Sequence, residues 1–153
     1  MSLVNYERTE SSNDLVYLLA LVKTLTSRLL SRCKPEWKTR FDQDKIELMV
    51  TGALCGQKPY GMQAVLLNHS HLLIYTTGHT WYNQARVLDE QLMVRVSEGS
   101  FTDALAALDL LVKDECCDYV TLGTLLSHND AAYTRLAEQN GFTLAANILL
   151  KEV

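Results

Sequence analysis

The chain has 153 residues, 48% of them hydrophobic and 21% charged, with a net charge of −4. That length fits a single domain over 1–153 with a buried core, and the composition excludes a disordered chain. No apolar run approaches the ~18 residues of a bilayer span, the first residues lack the order of a signal peptide, and the negative charge without a Lys/Arg stripe argues against a nucleic-acid binder.

In chain order, "LVNYER" at 3–8 suits a short strand. The polar "TESSND" offers Ser12 or Asn13 as an N-cap. Leu15, Leu18, Leu19, Val22, Leu25, Leu29 and Leu30 then recur at helical spacing. That helix ends by Lys34, because the residue before Pro35 avoids helical backbone angles. A second helix is predicted over Asp42–Cys55, with Ile46, Met49, Val50, Ala53 and Leu54 as its buried stripe and Gly56 suited to its C′ position.

The middle of the chain changes to strands. "GMQAVLLNHSHLLIYTTGHTWY" predicts two strands joined by a turn at Asn68-His69-Ser70. "ARVLDEQLMVRV" predicts a third, and a regular strand would place Leu88, Glu90, Leu92, Val94 and Val96 on one face. After the polar "SEGS", "FTDALAALDLLVKDE" is a helix with Leu105, Leu108, Leu111 and Val112 inward. Ser100 with Asp103 approximates a capping box at its start. "YVTLGT" is a short strand, "NDAAYTRLAEQNGF" a last helix, and "FTLAANILLKEV" a closing strand. The predicted order is β-α-α-β-β-β-α-β-α-β, an α/β domain whose mixed sheet carries helices on both faces.

Other chemistry is sparse. Cys33, Cys55, Cys116 and Cys117 fit no zinc spacing and no disulfide framework, so reduced thiols are expected. His69, His71 and His128 show no ligand spacing, and no metal site is predicted. His79 near a strand end reads as a surface or hydrogen-bonded residue, with proton acceptor the other reading. Trp81 and Tyr82 read as core aromatics or as the lining of an acceptor pocket.

The element order, at this length, resembles the GNAT superfamily of N-acetyltransferases, and the resemblance covers nearly the whole chain. Two stretches add to it. "LMVRV" leads into "SEGS" and "FTDALAAL", as the fourth strand of that fold leads into a phosphate-binding turn and a helix. "AAYTRLAEQNGF" keeps Leu136, Glu138, Gly141 and Phe142 of the family's last helix, where they read as a core contact, a polar position, a left-handed cap and a strand start. A narrower likeness is to small GNAT-like proteins of tailed phages.

The resemblance implies an acetyl-CoA-dependent N-acyltransferase acting on a small amine or a protein amine. Strand four would offer the backbone of Leu92, Met93 and Val94 to the donor arm and the reaction's oxyanion. The turn of Glu98, Gly99, Ser100 and Phe101, with Asn129, would hold the cofactor at a helix N-terminus. Glu90 would assist deprotonation of the amine.

The chain departs from the family in places. Arg95 lies one residue too far from Gly99, Glu98 brings a negative charge to the turn, and Phe101 stands where a small residue is usual. Ala137 occupies the place of the family's tyrosine acid, and Tyr133, one helical turn earlier on the same face, is the substitute. These departures keep a second reading open, a GNAT-like binding or assembly module without catalysis. The resemblance further implies a cytoplasmic location, or the virion for a phage protein. The final apolar "LAANILL" leaves a homodimer open.

Overall fold

A computed structural model describes residues 3–32, 35, 40–123, 130–145 and 151. Its elements are β1 (Tyr6–Arg8), α1 (Leu15–Arg32), α2 (Gln43–Leu54), β2 (Gln63–Leu67), β3 (His71–His79), β4 (Arg86–Arg95), α3 (Phe101–Asp114), β5 (Tyr119–Thr121) and α4 (Asp130–Gln139). The strands form one sheet in the order β1-β2-β3-β4-β5. Every neighbouring pair is antiparallel except β4 and β5, which run parallel because α3 carries the chain back between them.

Local chemistry explains the helix limits. In α1 the first turn starts later than either candidate cap: the Asp14 carbonyl accepts from the Leu18 amide, while the Ser12 hydroxyl is spent on the Asp14 amide at 3.0 Å. Asp42 caps α2 by accepting the Lys45 amide. The α2 end is closed by paired bonds from Gly56 to the Ala53 carbonyl and from Gln57 to the Gly52 carbonyl, with Gly56 at φ 77°. The same closure ends α4. There Gly141 donates to Glu138, Phe142 donates to Ala137, and Gly141 sits at φ 91°.

The sheet separates two apolar layers. Leu18, Val22 and Leu25 of α1 and Val50, Ala53 and Leu54 of α2 pack on Leu66, Leu72, Ile74, Leu92 and Val94. On the other face, Leu105, Leu108 and Leu111 of α3 pack on Val65, Leu67, Leu73, Tyr75 and Leu88. Alternation along β2 and β3 sends successive residues to opposite layers, which is why those strands read as nearly unbroken apolar runs.

Strand β4 is not regular, and here the sequence expectation is corrected. Ile74 pairs with Leu92 but Tyr75 pairs with Glu90, so Gln91 is an extra residue, a β-bulge. Leu88 therefore faces the α3 layer, while Leu92 and Val94 face the α1/α2 layer. Glu90 pairs with Tyr75 and does not share a face with Leu92 and Val94.

Three further expectations change. Trp81 and Tyr82 belong to neither β3 nor the core: Trp81 is 89% exposed in the loop before β4, its ring edge-on to that of Tyr82. Leu136 is largely exposed, and Ala137 is the buried residue of α4. Phe142 packs on the α3 layer without starting a strand over 142–145. Most of the predicted closing strand, like Asn129, lies outside the described residues.

Candidate functional site

The parallel pairing of β4 with β5 is short. It covers Val87↔Tyr119, Leu88↔Val120 and Asp89↔Thr121 and stops there, while β4 continues to Arg95. β5 ends at Thr121 while β4 runs on, so the backbone of β4 from Glu90 onward is no longer paired to β5, and this end of the pairing is the fork. The bulge at Gln91 begins at the mouth of this fork.

Glu90 is the first residue past the last rung. Its carboxylate accepts the Gly123 amide at 2.8 Å, across the fork from the segment that follows β5. The side chain is half-buried, and burial pushes its carboxyl up to about 7, with the neighbouring Asp89 charge adding to the rise. The amides of Gly123 and Met93 oppose the shift by bonding the charged form. A carboxyl that titrates near neutrality at a strand fork has the properties of a general base.

Tyr133 of α4 reaches the same place. Burial raises its phenol well above the ordinary value, and the Glu90 charge raises it further. The two side chains thus lie within electrostatic reach of each other, and Tyr133 holds its proton at neutral pH. Its ring packs on Phe101, the first residue of α3, with centroids 5.3 Å apart.

Asp89 has a different setting. It is exposed, and its carboxylate accepts from the Thr121 hydroxyl and from the Gln91 amide.

The turn from Val96 to Ser100 is pinned to the β2–β3 hairpin. Asn68 and His69 take positive φ, making a tight turn that presents the Ser70 carbonyl to two amides, Val96 at 2.8 Å and Ser97 at 3.2 Å. The Ser97 hydroxyl donates to the His69 carbonyl. Gly99 lies against Ser70, and a Cβ there would come within 2.4 Å of the Ser70 Cβ. Its smallness is therefore required by the fold, whatever else it serves. Ser100 caps α3 by accepting the Asp103 amide at 3.0 Å.

Below the turn, His71 is buried. Its Nδ1 lies 2.8 Å from the Ser70 hydroxyl, and its ring is 6.1 Å from that of Phe101. Burial, and then the charge of Arg95, keep His71 below its ordinary pKa.

The described residues thus bring Glu90, Phe101 and Tyr133 together at the fork and hold Gly99 and Ser100 at the start of α3. The side chains of Leu92 and Val94 are buried in the α1/α2 layer, so only their backbone is offered to the fork. Glu98 is exposed. Sequence reasoning missed Gly123, Ser70 and His71. The bulge had one sequence signal: three polar residues in succession, Asp89-Glu90-Gln91, interrupt the alternation of β4.

On the β5 side the β4 backbone from Glu90 onward has no strand partner among the described residues, and the Phe101 and Thr102 amides at the N-terminus of α3 suit an anion. The exposed Glu98 carboxylate can turn toward water, away from that charge.

No protein-family model matches the sequence, and no curated relative matches it. Solved structures do. A protein from Pyrococcus furiosus described as a candidate acetyl transferase superposes with a TM-score of 0.62 at 12% identity, covering 99% of this chain and 100% of that one. A protein from Bacillus halodurans C-125 described as a transcriptional regulator gives 0.59 at 12% identity, with 99% and 100% covered. The ribosomal-protein-alanine N-acetyltransferase from Brucella melitensis biovar Abortus 2308 gives 0.55 at 10% identity, again with 99% and 100% covered. The chain has the mixed α/β fold of GNAT-superfamily N-acetyltransferases.

Proposed function

We propose that this protein is an N-acyltransferase that moves an acetyl group from acetyl-CoA to an amine. The observation that carries the reading is the β4/β5 fork with Glu90 and Tyr133 at its mouth, one carboxyl titrating near neutrality and one phenol kept protonated. Bound acetyl-CoA would supply an activated acyl carbon held between the strands. The backbone of Leu92, Met93 and Val94 would orient it and stabilise the oxyanion, and the turn of Glu98, Gly99, Ser100 and Phe101 would meet its phosphates. Glu90 accepts the proton that the amine nitrogen loses as the new C–N bond forms. Tyr133 donates a proton to the sulfur as the C–S bond breaks. The proton on Glu90 then returns to the Tyr133 phenolate, and both groups recover their starting states. The acceptor is a small amine or a protein amine.

A binding or assembly module without catalysis is the second reading. It is favoured by the Val96 and Ser97 amides, which are already committed to the Ser70 carbonyl. Titration with acetyl-CoA separates the two. At 100 times Kd, a ligand of the folded state stabilises by about 2.7 kcal/mol, visible as a thermal shift. No shift at millimolar acetyl-CoA would sink the enzyme reading. In an active protein Glu90→Gln should still bind acetyl-CoA and lose about 100-fold or more in turnover. Unchanged turnover would remove Glu90 from the mechanism.

A further inference from the structure

We propose that Phe101 is a positioning residue for Tyr133: its ring, packed against both His71 and Tyr133, fixes the phenol hydroxyl at the mouth of the fork beside Glu90. This rests on the functional reading above. It turns Phe101 from an obstacle at the turn into the part that makes a displaced tyrosine usable.

The argument starts from α4. Tyr133 is the fourth residue of this helix, near its described start. It is only partly covered, whereas Ala137, one turn further on, is the buried residue of α4. The described ring contact that can fix its phenol is with Phe101.

Phe101 is itself well fixed. It is the first residue of α3, so the Ser100 cap sets the point from which its ring projects. Its ring also meets His71, with centroids 6.1 Å apart, and His71 is buried and oriented by the Ser70 hydroxyl at 2.8 Å. Ser70 in turn is locked by its close contact with Gly99 and by the Val96 and Ser97 amides. The ring of Tyr133, 5.3 Å from Phe101 and tilted by 45°, leans on the end of a rigid row. Such tilted aromatic pairs are favourable beyond their buried area. The phenol oxygen lies at the far end of a lever, so a small rotation of the ring moves the hydroxyl by an ångström or more. A displacement of that size can cost about 100-fold in rate.

Two measurements on the full chain test this. In the first, the protein is labelled with 3-fluorotyrosine, and the Tyr133 line in the 19F spectrum is assigned by its loss in Tyr133→Phe. Phe101→Leu should shift and broaden that line, and Phe101→Tyr, which keeps a ring, should leave it sharp. Phe101→Met gives the same reading if the leucine variant does not fold. An unmoved line overturns the proposal.

In the second, Phe101→Leu should lower kcat about 10- to 100-fold while KM for acetyl-CoA stays within a few-fold, and should add no further loss in the Tyr133→Phe background. Raised KM with unchanged kcat would make Phe101 a wall of the cofactor site and overturn the positioning role. Wild-type protein that transfers acetyl to no amine removes the functional reading and this role together. Active wild type with an unmoved line removes only Phe101.

Discussion

Two clusters in this molecule are built from the same residue types and behave differently. Under the C-terminus of α3, Glu115 and Tyr75 meet two arginines. Arg8 donates to Glu115 at 2.6 Å, to Tyr75 and to Gln63, and Arg86 donates to the Glu115 carbonyl at 2.9 Å and lies 3.6 Å from its carboxylate. At the fork, Glu90 and Tyr133 meet no arginine among the described residues; two backbone amides and an aromatic ring are their described partners. Paired charge makes the first cluster a brace joining β1, β3, β4 and the end of α3. With no cation among its described partners, burial tunes Glu90 toward neutrality, which suits the proton transfer proposed for the second cluster. Residue type alone does not separate the brace from the candidate site; the counter-charge does.

The comparison can be broken by experiment. The largest effect is expected at the brace. Glu115→Ala leaves Arg8 and Arg86 facing each other with their shared carboxylate gone, and should destabilise the fold by about 3 kcal/mol in chemical denaturation. A loss under about 1 kcal/mol would mean that the network is solvated and the contrast with the fork is false.

Glu90→Gln should do the opposite. Because the folded-state pKa of Glu90 is raised to about 7, its contribution to stability is fully present below about pH 4.5 and is lost as pH rises through 7. Glutamine can still accept the Gly123 amide and carries no charge. The variant should therefore gain on wild type between pH 5 and 8, by about 2 kcal/mol at the upper end, in denaturation curves collected across that range. Parallel curves for the two proteins would show that Glu90 titrates as an ordinary surface carboxylate.

The smallest effect compares the two tyrosines. Tyr75→Phe removes a hydroxyl bonded to Arg8 and Glu115 and should cost about 1.5 kcal/mol or more. Tyr133→Phe should cost less than that in stability while lowering turnover. Equal stability losses would place Tyr133 in a bonded network like that of Tyr75.

The fold was largely legible along the chain because its signals are local. Helical spacing of leucines gave α1, the apolar stripe over Asp42–Cys55 gave α2, the Ser100 cap gave the start of α3, and Gly56 and Gly141 gave the closures of α2 and α4. Each depends on backbone geometry within a few residues. Of the candidate site, Glu90, Tyr133, Gly99 and Phe101 could be named from the sequence, but their relations could not. The regular alternation assumed for β4 put Glu90 on the wrong face relative to Leu92, because one inserted residue, Gln91, reverses the register of everything after it. The role of Gly99 was also hidden, since its neighbour Ser70 is far away in sequence.

The sequence by itself determined the order of the described elements, the two apolar layers, the Ser100 cap and the two glycine closures, since periodicity and turn chemistry act over a few residues. Only the tertiary structure decided which carboxylate is tuned and which tyrosine is tied to arginine. Those properties depend on what lies across the sheet: the arginines at Glu115, and their absence among the described neighbours of Glu90. A pKa is set by burial and by charges in space, and neither is written in the spacing of residues along a chain.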